Sequence, residues 1–160
     1  MTKNRESAVI PADGEEFELT IACIDPMQMV RDDGHDPRGW KFIGSPVAPQ
    51  TRRFQLVRVD YSRDLTYSRN LDEVREILQI HGHIPEGQWR EAFKQSFHRY
   101  DGRGPVGFAD PSWVFPGGGA CFLALFGRDE GWCPDLIWAD GHRSNRWRWF
   151  VASQKQTEDT

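Results

Sequence analysis

Apolar residues recur along this chain first every second position, then every third or fourth, then every second again, and that order narrows the folds open to it. Phe17-Glu18-Leu19-Thr20-Ile21-Ala22-Cys23 alternates apolar and polar residues, placing Phe17, Leu19, Ile21 and Cys23 on one face of a half-buried strand. Asp25-Pro26 ends it, and Arg31 to Gly39 reads as a charged loop. Trp40 to Ile43 is expected as a short strand and Arg53 to Tyr61 as a longer one. Its apolar phase slips between Leu56 and Val57, so either both its faces are covered or a bulge sits there.

Two helices follow. Asn70 with Glu73 three positions on is a capping-box pair. Leu71, Val74, Leu78 and His81 then recur at helical spacing until Gly82. The second helix is expected from Pro85, a good first-turn residue, to Tyr100, with Trp89, Phe93, Phe97 and Tyr100 as its apolar stripe and Asp101-Gly102 as its stop. The short link His83-Ile84 joins the two as an αα-hairpin.

Strand spacing then returns. Ser112 to Phe115 and Ala120 to Phe126 flank Pro116-Gly117-Gly118-Gly119 as a hairpin, Leu136 to Trp138 is a short strand, and Arg146 to Ala152 is the last. In that last strand Trp147, Trp149 and Val151 point one way and Arg146, Arg148 and Phe150 the other. The expected fold class is therefore α+β, one domain over residues 16–152. Its mainly antiparallel sheet has about five to six strands, in the order β-β-β-α-α-β-β-β, with the helix pair packed on one face. Residues 1–15 read as a flexible polar lead and 153–160 as a polar tail.

The net charge of −4 argues against a general nucleic-acid binder, which usually carries a basic excess. Arginine outnumbers lysine sixteen to four, a bias that a GC-rich, bacterial-type genome produces. Three cysteines, Cys23, Cys121 and Cys133, make an odd number without C-x-x-C spacing, so no disulfide set or zinc knuckle is indicated. No stretch approaches the ~20 apolar residues of a membrane span, and a soluble, cytoplasmic protein is expected.

Five of the seven tryptophans fall between Pro111 and Val151, where they must build a core or line a surface. Arg146-Trp147-Arg148-Trp149 resembles a base-stacking, phosphate-holding surface, but strand alternation separates its indoles from its arginines. Trp147 and Trp149 are accordingly expected to pack on Trp89, Phe93 and Phe97. Catalytic sets are thin. Cys121 after the glycine run, with His142 and Asp140 or Asp135, could form a thiol site, yet it opens the apolar run Ala120 to Phe126, and a buried thiol is inert. His81 and His83 stand two apart at a helix end, and Asp32, Asp33, His35 and Asp36 form a second patch, but no metal-ligand spacing fixes either.

The expected function is non-catalytic binding of a small apolar or aromatic molecule, or of a protein partner (another copy of the chain included), through the aromatic C-terminal sheet. Trp113, Trp138, Trp147 and Trp149 are the expected lining, with Arg148 and His142 as polar contacts and no cofactor. The alternatives are a small enzyme, metal-assisted through His81 and His83 or thiol-dependent through Cys121, and an interaction protein without a pocket.

Overall fold

The computed structural model describes residues 9–59, 68–129, 131–141, 143–144 and 146–153. In chain order the elements are β1 (Phe17–Ile21), α1 (Pro26–Asp32), β2 (Lys41–Phe42), β3 (Gln50–Val57), β4 (Ser68–Arg69), α2 (Leu71–His81), α3 (Trp89–Ser96), β5 (Val106–Val114), β6 (Ala120–Arg128), β7 (Gly131–Trp138), β8 (Arg143–Ser144) and β9 (Arg148–Ala152). The α+β class holds, but the strand order differs from the expected one. The main sheet of seven strands runs β1-β3-β9-β5-β6-β7, with β2 also on β5, while β4 and β8 pair separately. All pairings are antiparallel except β5 with β9, which run parallel at Val106–Arg148 and Gly107–Trp149.

Among the described residues the helices are three, and α2 lies on the opposite face from α1 and α3. Leu71, Val74 and Leu78 of α2 join one buried cluster with Phe122, Trp147, Trp149 and Val151. Trp89, Ala92 and Phe93 of α3 join a second with Phe54, Phe108, Trp113 and Phe150. Adjacent residues of one strand point to opposite faces, so Trp149 and Phe150 belong to different clusters. The expected packing of Trp147 and Trp149 on the α3 stripe is thus corrected. They stack on each other at 5.2 Å and meet Phe122 at 5.9 and 5.7 Å. Leu56 and Val57 are likewise split between the clusters, so the phase slip marks a strand covered on both faces.

The α2–α3 connection explains why the αα-hairpin fails. The Asn70–Glu73 capping box is present and α2 ends at His81. Residues 82–88 then form an extended link and a turn, with Trp89 N–H on the Glu86 carbonyl, so α3 starts later than Pro85 and is shorter than expected. The link passes through the sheet. β6 covers one edge of β5; on the other edge β9 pairs at Val106–Gly107 and β2 at Trp113–Val114. Between them β5 shifts register from Phe108 to Trp113. The link enters that interval. His83 N–H donates to the Ala152 carbonyl at 3.3 Å and Ala152 N–H to that of His83 at 2.8 Å, while Gly87 N–H donates to Asp110 Oδ2 at 2.8 Å.

Gly82 makes the crossing possible, since a Cβ there would stand 2.0 Å from the Ala152 carbonyl oxygen. Gly82→Ala is expected to cost about 1–3 kcal/mol, the range for forced overpacking. Urea denaturation reads it, and a cost below about 0.5 kcal/mol would mean that the link is not held against β9.

Helix α1 begins at the expected strand end, Asp25-Pro26, and runs into the first two residues of the expected loop. Asp25 Oδ1 accepts from Met27 N–H at 2.9 Å as its N-cap, and Pro26 fills the first helical position. Its end is fixed by a buried ion pair, Arg90 Nη1 to Asp33 Oδ2 at 2.8 Å and Nη2 to Oδ1 at 2.7 Å, which ties α1 to α3. Within the segment read as a polar lead, Ile10 is buried and Gly14 N–H donates to the Leu56 carbonyl at 2.7 Å. Among the described residues no helix is long and apolar enough to cross a membrane.

Candidate functional site

The interior is filled by its own rings. Trp113 and Trp149 are fully buried and Trp147 nearly so. Trp113 sits in the α3-side cluster, with Nε1 donating to the Pro26 carbonyl at 3.1 Å, whereas Trp147 and Trp149 sit across the sheet. Three of the four indoles expected to line one surface are therefore core residues on two faces. Arg148 is buried as well. Its Nη1 and Nη2 donate to Asp101 Oδ2 and Oδ1 at 2.7 and 2.8 Å, and Nη2 also reaches the Gly104 carbonyl at 2.6 Å. A guanidinium engaged in this way is taken up by the fold.

Trp138 is different. At the end of β7 it is 46% exposed, and Phe115, at the glycine turn, is 37% exposed. The rings meet edge to face at 4.8 Å, and Phe115 meets Trp40 at 5.3 Å. The turn closes through Phe115 N–H on the Gly119 carbonyl at 2.8 Å and Gly118 N–H on that of Phe115 at 2.7 Å. Gly119 seats the indole, because a Cβ there would lie 2.4 Å from the Trp138 ring. Beside Trp138 opens a cleft of about 340 Å³ that includes Asn70, Asp72, Pro111 and Asp140, with both carboxylates on exposed residues. His142, the other expected polar contact, lies outside the described residues.

Burial, with the Asp135 and Asp140 carboxylates adding to it, pushes the Cys121 thiol up to about 11, so it stays protonated at neutral pH. His81 and His83 are both exposed. Asp33 is held by Arg90, Asp36 by Arg38 at 2.6 Å, and His35 Nε2 stands 3.4 Å from Asp135 Oδ1. Among the described residues no group of three or more His, Cys, Asp or Glu is placed to hold a metal.

A second cleft, of about 360 Å³, lies where the link crosses the sheet, and nothing in the sequence pattern announces it. Its polar lining is Arg52 of β3, Arg75 of α2, His83 and Glu86 of the link, and Asp110 and Ser112 of β5. Asp110 is committed, accepting from Gly87 N–H and from the Ser112 hydroxyl. Arg75 Nη1 donates to the Ala109 carbonyl. These residues come from four separate stretches of chain, so no local motif could have revealed them.

The fold and these two clefts describe an α+β domain with an aromatic edge and a charged crevice. Comparison with known proteins finds no matching family model, no matching curated protein and no matching solved structure.

Proposed function

We propose that the protein is a binding domain that docks a protein partner through the Phe115–Trp138 edge. The carrying observation is the joint exposure of these two rings, in contact at 4.8 Å, in a chain that buries most of its other large aromatics. Interface anchors are enriched in tryptophan, and an adjacent concave site lets a partner side chain add buried area. Because the tryptophans of the sheet interior are packed against their own neighbours, the apolar small-molecule pocket has less support than a surface contact.

Asp72 and Asp140 beside Trp138 favour a partner segment with an arginine or lysine next to an apolar residue. An indole face and nearby carboxylates both attract such a cation. The test is fluorescence anisotropy of a labelled peptide alternating arginine and leucine, against its glutamate–leucine counterpart. The basic peptide is expected to bind, and Trp138→Ala to weaken it about 30-fold, the ~2 kcal/mol of an interface anchor. Equal affinity of the two peptides, or of wild type and Trp138→Ala, refutes the reading.

A further inference from the structure

We infer that the cleft at the sheet crossing is a binding site for a small zwitterion of the α-amino acid class. β5 and β9 leave their parallel pairing at Gly107 and Trp149, and the cleft opens beyond that point, toward the carboxyl ends of both strands. In open sheets a crevice where neighbouring parallel strands diverge is a recurrent ligand position, because the backbone there is released from the ladder. Here β5 and β9 part after Gly107 and Trp149, and the link takes up the β9 edge by pairing His83 with Ala152.

Arg52 and Arg75 bring two guanidinium groups, and Glu86 and Asp110 two carboxylates, into one space of about 360 Å³. None of these four forms an ion pair with another, and the Arg52 and Glu86 side chains have no hydrogen-bond or ion-pair partner among the described residues. Opposite charges that share a cleft without pairing match a ligand that carries both signs on neighbouring groups, as the ammonium and carboxylate on one α-carbon do. A guanidinium takes a carboxylate through two parallel N–H bonds. Since Asp110 is already engaged by Gly87 and Ser112, Glu86 is the acceptor left for an ammonium group. Arg52 and Glu86 are only half-buried, so the ligand would displace water from them without the cost of a fully buried ion.

The wall is positioned for this task. The link is bonded to β9 at His83 and to β5 at Gly87, which fixes Glu86 between two anchored residues. Gln88, wholly buried just after it, donates Nε2 to the Ser45 carbonyl at 3.0 Å and so ties the link to the Gly44–Ser45 side of the cleft.

Calorimetric titration of the full chain with the standard L-α-amino acids, one at a time, tests the assignment. At least one is expected to bind saturably in the ~µM to mM range. Its analogues lacking the amino group or the carboxylate should each bind at least ~10-fold more weakly, the loss of one charge-assisted contact. Arg52→Gln and Glu86→Gln, both at half-buried surface positions, should each weaken it by a similar factor while leaving thermal unfolding unchanged. Trp138→Ala should leave it intact, which separates this site from the docking edge. No saturable binding up to ~10 mM, an analogue that binds as tightly as the amino acid, unaltered affinity in both cleft variants, or a loss on Trp138→Ala would each overturn the assignment.

Discussion

Replacing Asp33 by alanine is expected to lower the unfolding free energy by about 3–5 kcal/mol, the range found when one member of a buried ion pair is removed. Both side chains of the Asp33–Arg90 pair are fully buried, and the two parallel contacts of 2.7 and 2.8 Å satisfy both oxygens of the carboxylate. The Asp33 deletion leaves the buried guanidinium with Glu91 as its one charged partner among the described residues, through longer contacts. Glu91 Oε2 lies 3.1 Å from Nη2, and the Asp135 carbonyl 3.4 Å from Nη1. The lost stability is mostly the cost of a buried charge left with only part of its compensation, and a second substitution separates that contribution. In the Asp33→Leu/Arg90→Met double variant no charge is stranded, Glu91 keeps Lys94 at 3.2 Å, and most of the loss should return. Urea denaturation measures both. A single-variant loss under about 1 kcal/mol would mean that the pair behaves as a solvated one.

That ion pair is not legible in the sequence, which shows local patterns and not partners 57 residues apart. Strand alternation placed Trp147, Trp149 and Val151 opposite Arg148 and Phe150, and β9 is built that way. The capping box at Asn70 and the hairpin around the glycine turn were equally readable, because each is a local pattern. Helix α1 has a local signal too, Asp25 as cap and Pro26 as first residue, but the same two residues also read as a strand end. The layer arrangement was not readable. It depends on residues 82–88 crossing the sheet through the interval between β9 and β2, a consequence of pairings between distant segments. An apolar stripe on a helix says that the helix is covered, not which face of the sheet covers it.

The same limit applies to the sites. Trp138 and Trp149 have similar sequence surroundings, each next to an apolar residue in a strand. Yet one ends an edge strand and stays half exposed, while the other lies in a central strand under α2. Arg148 and Arg52 likewise differ only through partners far along the chain. Arg148 meets Asp101, whereas Arg52 faces an open cleft. Composition located the aromatic-rich third, and tertiary pairing decided which of its members reach solvent.

Asp101 carries the second large effect, and its size should vary with pH. Burial pushes its carboxyl upward, but the hydrogen bonds and charge of Arg148, helped by the Arg103 backbone and side chain, outweigh that and hold it below the ordinary carboxylate range. A carboxyl lowered by folding adds stability that is fully present above its unfolded value, about 3.9, and is lost as pH falls through the folded one. Asp101→Asn removes the charge at every pH and leaves the buried Arg148 with a neutral partner, so at neutral pH the variant should be less stable by about 3 kcal/mol. Above about pH 5 that difference should be constant. Below pH ~4 it should shrink, because the wild-type carboxyl takes up a proton and approaches the neutral variant. Denaturation curves for both proteins at a series of pH values test this directly. A difference that stays level down to the acid unfolding of the wild type, or that widens as pH falls, would show that the Asp101–Arg148 contact is not a charge-dependent tie between β9 and the turn at Asp101.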